Sequence, residues 1–128
     1  MLHYCIKYLE NNLIMTKDFK ALFEDPFHVL HWHGVRILLP NKAVLIASRA
    51  RCKEQFFRIG KFAYGLQFHI ETTGGLINNW IKEDKEFVLK GLGSNGLEIL
   101  KEENKKYIDK TFLKRKLLIS KLFELLDN

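Results

Sequence analysis

Cysteine and proline are scarce in this sequence, whose 128 residues hold two of each. Cys5 and Cys52 are too few for a disulfide framework. That excludes the small cross-linked secreted domains and sets the expectation of a reduced, cytoplasmic protein. A long apolar run is missing as well. The longest candidate, residues 112–126, is interrupted by Lys114, Arg115, Lys116 and Lys121, whereas a membrane helix needs about 20 predominantly apolar residues. Lys7, Glu10 and Asn11 break up the start of the chain in the same way, so no signal peptide and no membrane association are expected. Internal repeats and low-complexity segments are absent.

What is present is the material of a core. Apolar residues make up 47% and aromatic residues 12% of the chain, a globular rather than disordered composition. The length suits one hydrophobic core and leaves no room for a second independent one. The net charge of +6 invites a nucleic-acid reading. Against it, many of the cations fall between Lys101 and Lys121 and are interleaved with Glu102, Glu103 and Asp109, the pattern of a solvated helix face. No alternation of aromatic and basic residues accompanies them. No nucleic-acid partner is therefore expected.

Residues 1–25 show no clean period, and Asp25-Pro26 marks a break because the residue before proline is pushed out of the helical region. Residues 27–33 then alternate as a strand, with Phe27, Val29, His31 and His33 on one face and His28, Leu30 and Trp32 on the other. A turn at Leu39-Pro40-Asn41-Lys42 leads into a buried strand over 43–47. Arg58-Ile59-Gly60-Lys61 reads as a hairpin turn after Phe56 and Phe57, and 62–69 as a third strand. The pattern then becomes helical. Thr72 or Thr73 can cap a helix that carries Leu76, Ile77, Trp80 and Ile81 on one stripe. Residues 91–96 read as loop. From Leu97 onward Ile99, Leu100, Tyr107, Ile108, Leu118, Leu122, Phe123 and Leu126 recur at helical spacing, which predicts one or two closing helices over 97–126.

Two chemical patterns compete for attention and both fall short. Gly91-Leu92-Gly93-Ser94-Asn95-Gly96 has the spacing of a dinucleotide-binding turn after an apolar Phe87-Val88-Leu89. No strand follows to bring a carboxylate to a ribose, so a loop is the better reading. His28, His31, His33 and His69 are metal-ligand types, but no carboxylate or cysteine joins them in one cluster. Core or strand-surface histidines are expected instead.

The most informative stretch is Tyr64-Gly65-Leu66-Gln67-Phe68-His69-Ile70-Glu71. It resembles the Y-G-x-Q-F-H-P-E signature of class I glutamine amidotransferases, with Ile70 in place of the usual proline. A second set of matches precedes it in order: His31-Trp32-His33-Gly34, Leu39-Pro40, Ala43, Ala47-Ser48, Cys52, Gln55-Phe56 and Gly60. Together they cover about residues 26–80, and amidotransferases related to the glutaminase part of guanylate synthase are similar to this segment.

The resemblance implies a chemistry. In that family a cysteine thiolate attacks the side-chain amide of glutamine, a histidine takes and returns the proton, and a carboxylate orients the imidazole. By resemblance His69 is the base and Glu71 its orienting partner. Their spacing is compatible, since residues two apart on an extended segment project to the same side. No cofactor and no metal are implied. The nucleophile itself is missing: the family carries it on a G-x-C-x-G elbow upstream of the histidine, and neither Cys5 nor Cys52 has glycines around it. Cys52 falls at a non-catalytic position, where a small buried apolar role is expected. Val35 stands where the family's H-G-D pattern has aspartate, and Arg36 and Leu38 also depart from it, which implies a degraded edge of the glutamine pocket.

The resemblance thus implies an α/β fold: the carboxyl-terminal half of a flavodoxin-like amidotransferase domain, in which strands are followed by carboxyl-terminal helices, with 1–128 forming one incomplete domain. Two functions follow. In one, the chain is part of a glutamine amidotransferase, supplies His69 and Glu71, and binds glutamine once the missing half completes it. In the other, it is a non-catalytic remnant or interaction module of the same fold. Either would leave apolar surface for a partner chain or for self-association.

Overall fold

Alternation along 27–33 has a direct structural outcome, because this segment runs between two apolar cores and feeds both. A computed structural model of the chain describes residues 2–3, 7–8, 15–23, 27–50 and 52–128, with side chains from Phe19 onward. Cys5 and the Asp25-Pro26 break lie outside the described residues. Strands β1 (Leu2–His3), β2 (Lys7–Tyr8), β3 (Val29–Leu30), β4 (Ala43–Ser48), β5 (Phe56–Ile59) and β6 (Ala63–Leu66) alternate with helix α1 (Met15–Phe23) and precede α2 (Gly74–Glu83), α3 (Lys85–Leu92) and α4 (Gly96–Asp127). One sheet has the order β2-β4-β5-β6 and a smaller one pairs β1 with β3. All of these pairs are antiparallel.

Phe27 and Val29 enter a core with Phe19, Phe23, Ile46, Ala47, Phe56, Phe68 and Leu118. Leu30 faces the other way and joins Ile77, Ile81, Val88 and Leu100, with Trp32 packed against them. The first core is aromatic: Phe19 meets Phe56 edge to face at 4.8 Å, and Phe23 lies 5.6 Å from Phe27. The second is made by helices and is chiefly aliphatic. α4 serves both, through Leu100 near its start and Leu118 two-thirds of the way along.

Several predicted elements change their bounds. The strand expected over 27–33 is paired as a strand only at Val29–Leu30, which faces β1. The turn after Pro40 forms as expected, with the Ala43 N–H donating to the Pro40 carbonyl at 2.9 Å. The hairpin turn moves downstream: β5 runs through Arg58 and Ile59, and the reversal occurs from Gly60, where φ is +64°. The third strand shrinks to Ala63–Leu66, after which His69 touches the smaller sheet through a single bridge to Leu30. Between β5 and β6 the Phe57 ring lies over Gly65, and a Cβ there would come within 2.3 Å of it. That contact leaves no room for a side chain at position 65 while the ring stays where it is.

Thr73, not Thr72, caps α2, its hydroxyl accepting from the Leu76 N–H at 3.2 Å. Ile77 and Ile81 are buried as the stripe requires, while Leu76 is partly exposed. Phe87-Val88-Leu89 is helical, within α3, and the loop expected over 91–96 contracts to 93–95. The closing segment is one helix of 32 residues. Its buried face is Leu100, Asn104, Thr111, Arg115 and Leu118, so Ile99, Phe123 and Leu126, predicted on the inward stripe, are exposed instead. The reason is that polar residues occupy inward positions that the apolar pattern alone could not count. The charged residues Lys101, Glu102, Lys105, Lys106, Asp109 and Lys110 lie on the solvent side.

Candidate functional site

After Leu66 the chain leaves the sheet and is held by backbone hydrogen bonds. The Gln67 N–H donates to the Gln55 carbonyl at 2.9 Å, and the His69 N–H donates to the Leu30 carbonyl at 2.8 Å. Phe68, between them, is buried in the aromatic core. Gln67 and His69, its neighbours, are half-buried.

His69 and Glu71 meet. His69 Nδ1 lies 2.7 Å from Glu71 Oε1, and the Ile70 N–H donates to Glu71 Oε2 at 2.9 Å. Burial opposes ionisation of Glu71, but hydrogen bonds from His69 and from the backbone N–H groups outweigh it and hold the carboxyl below the usual carboxylate range. The isoleucine matters here. A proline at position 70 has no N–H, so the departure from the signature adds a donor to the carboxylate. The Nδ1–H donated to Glu71 leaves Nε2 as the proton-accepting nitrogen of the neutral ring. That ring is partly exposed, and Trp80 of α2 packs against it edge to face at 5.2 Å. Trp80 was legible only as part of an apolar stripe, because spacing along a helix cannot tell a core side chain from one that walls a site.

The other histidines go elsewhere. His28 stacks on Tyr107 at 4.1 Å. His31 and His33 approach edge to face at 5.9 Å, and His33 Nδ1 donates to the Val35 carbonyl at 3.0 Å. Among the described residues no group of three or more His, Cys, Asp or Glu side chains is arranged to hold a metal ion.

Cys52 is half-buried rather than buried, which corrects the expected apolar core role. It lines a cavity of about 270 Å³ together with His31, His33, Arg49 and Phe87, a cavity whose walls do not include His69. Its carbonyl accepts from Gln55 Nε2 at 2.8 Å. The loop that begins at Gly34 is tied back by Arg36, whose guanidinium grips Glu54 with two hydrogen bonds of 2.7 and 2.9 Å. That fork holds Glu54 below, and Arg36 above, their ordinary pKa values. Val35 and Leu38 are exposed.

No family model matches the chain, and no curated protein does. Solved structures do. A glutamine amidotransferase from Thermotoga maritima superposes with a TM-score of 0.70 at 28% identity, over 98% of this chain and 50% of its own. A glutamine amidotransferase from Methylobacillus flagellatus superposes with a TM-score of 0.71 over 98% of this chain and 51% of its own, at 15% identity, a level that speaks for the fold alone. The chain has the fold of half a glutamine amidotransferase. The expected α/β half-domain, strands followed by carboxyl-terminal helices, therefore stands, and the chain spans about half the length of both neighbours. Among the described residues no helix is long and apolar enough to cross a membrane.

Proposed function

We propose that this amidotransferase half supplies the base of a class I glutaminase site, with His69 as proton carrier and Glu71 as the carboxylate that orients it, and that the nucleophilic cysteine belongs to the half this chain does not match. The observation that carries the reading is the 2.7 Å contact between His69 Nδ1 and Glu71 Oε1. With Nδ1–H committed to the carboxylate, Nε2 takes the proton of a cysteine thiol. The thiolate then adds to the side-chain carbonyl carbon of glutamine, and the imidazolium returns its proton to the departing ammonia. Glu71, ionised through the neutral range, stabilises the imidazolium in between. Water hydrolyses the resulting thioester to glutamate and regenerates the thiol. A reduced, cytoplasmic setting suits a reaction that depends on a free thiol, and 1–128 acts as one incomplete domain that binds glutamine only when completed.

The second reading, an interaction module without turnover, draws on the apolar side chains Phe112, Leu113, Leu117 and Phe123, which α4 leaves exposed. One mixture separates the two. The chain is combined with the part of the Thermotoga maritima amidotransferase that it does not match, and glutamate release and association are both measured. Release in the mixture alone, lowered about a hundredfold or more by His69→Ala, is expected for a general base. Release unchanged by His69→Ala sinks the assignment. Association without release favours the module.

A further inference from the structure

We propose that Arg115, on the inward face of α4, is a positioning residue for the His69–Glu71 pair, clamping the backbone on both sides of Glu71. This rests on the reading of that pair as a proton-transfer couple. Arg115 is only 6% exposed. Its Nη1 donates to the Ile70 carbonyl at 3.0 Å and to the Thr72 carbonyl at 2.6 Å. Nη2 donates to the Ile108 carbonyl at 3.1 Å, and Nε to the Thr111 hydroxyl at 3.2 Å. That hydroxyl in turn donates to the Tyr107 carbonyl at 2.9 Å, which fixes where the guanidinium can sit.

A buried guanidinium is an expensive way to hold a helix. Taking such a charge out of water costs several kcal/mol unless its donors are satisfied, and an apolar residue of similar size often stabilises more. The neighbouring inward position Leu118 is apolar. What an apolar residue cannot do is donate, and Ile70 and Thr72 lie past the end of β6, outside the strands of the described residues, with carbonyls that need donors from elsewhere. The planar fork of arginine meets both of them from a single nitrogen, at the residues immediately before and after Glu71. His69 is anchored separately by its N–H to Leu30. With the backbone fixed at 69, 70 and 72, the only freedom left to Glu71 is its own side chain, whose oxygens are taken by His69 and the Ile70 N–H. Burial lowers the pKa of Arg115, while the negative charges of Glu71 and Asp109 oppose that change.

Isotope labelling of the chain provides the test, through the side-chain nitrogens of Arg115 and His69. In the wild type the Arg115 Nη signals are expected to be separate, because rotation of a clamped guanidinium is slow. A single averaged Nη signal overturns the proposal before any variant is made. Arg115→Lys keeps the charge but is shorter and loses the fork that the Thr111 hydroxyl and the Ile108 carbonyl hold in place, and Arg115→Met keeps the bulk without donors. Both are expected to move the His69 imidazole nitrogens toward tautomer-averaged positions, and to lower kcat in the complemented mixture about tenfold or more with little change in KM. A folded Arg115→Lys chain whose His69 signals and kcat are those of the wild type makes Arg115 a structural pin and overturns the proposal. If Arg115→Met does not fold, the lysine variant and the wild-type rotation decide. If the imidazole signals move but no mixture releases glutamate, the clamp stands and the proton-transfer reading falls.

Discussion

The two cores of this molecule are built on different principles. The first is aromatic and non-local: Phe19 and Phe23 of α1, Phe27, Phe56 of β5 and Phe68 converge from segments far apart in sequence. The second is aliphatic and largely sequential, with Ile77, Ile81, Val88 and Leu100 on three helices that follow one another. The candidate site lies where they meet. Phe68 belongs to the first core, Trp80 packs against the second, and His69 is next to one in sequence and beside the other in space. A site on such a seam is held by both cores, so damage to either is expected to loosen it.

The largest expected effect tests the non-local core. Phe56→Ala removes a ring with no exposure that touches Phe19 and Tyr64. A cost of about 3–5 kcal/mol is expected, a large fraction of a typical domain's stability. Urea unfolding followed by tryptophan fluorescence checks it. Because Trp32 and Trp80 sit in the helical region, a fluorescence transition that outlasts loss of the sheet would show that the two cores unfold separately, breaking the view of one seam held from both sides.

A smaller effect concerns packing on the sheet. Gly65→Ala places a Cβ within 2.3 Å of the Phe57 ring, which has to move. About 1–3 kcal/mol of destabilisation is expected, as for other overpacked positions. A crystal structure or thermal melt that shows no change would mean that the ring moves aside freely.

The smallest effect is electrostatic. Glu71 and Glu54 both have carboxyls held below their ordinary range, so the unfolded chain binds their protons first as pH falls. Stability from these groups is therefore fully present above the ordinary carboxylate range and is lost as pH drops through the folded values. Glu71→Gln should flatten part of that acid limb in a melting series against pH. It should leave the Arg36–Glu54 part in place. An unchanged acid limb would mean that the His69 contact contributes nothing to folding.

Much of the strand and turn order could be read from residues 27–71, because alternation, turn residues and the signature are local properties of sequence. Pro40 marks its turn, and Ala43 to Ala47 lies in a strand. The helical half was legible in type and less so in detail. Helical spacing places Ile77 and Ile81 correctly, yet it also points to Phe123 and Leu126, which are exposed. The discrepancy has one cause: Asn104, Thr111 and Arg115 take inward positions on α4, and a polar residue with partners inside looks in sequence like one facing water.

The sequence by itself determined the segment from Tyr64 to Glu71, whose resemblance to the family signature implies the pair His69 and Glu71, and a spacing of two that is compatible with both side chains leaving on one side. It also determined the scarcity of cysteine and the absence of a glycine-flanked one. Only the tertiary structure decided what surrounds the pair. Arg115 lies 44 positions beyond Glu71 in the chain and reads there as one more cation in a broken apolar run. Folding α4 back along the molecule turns it inward, where water cannot satisfy its donors and the carbonyls of Ile70 and Thr72 can.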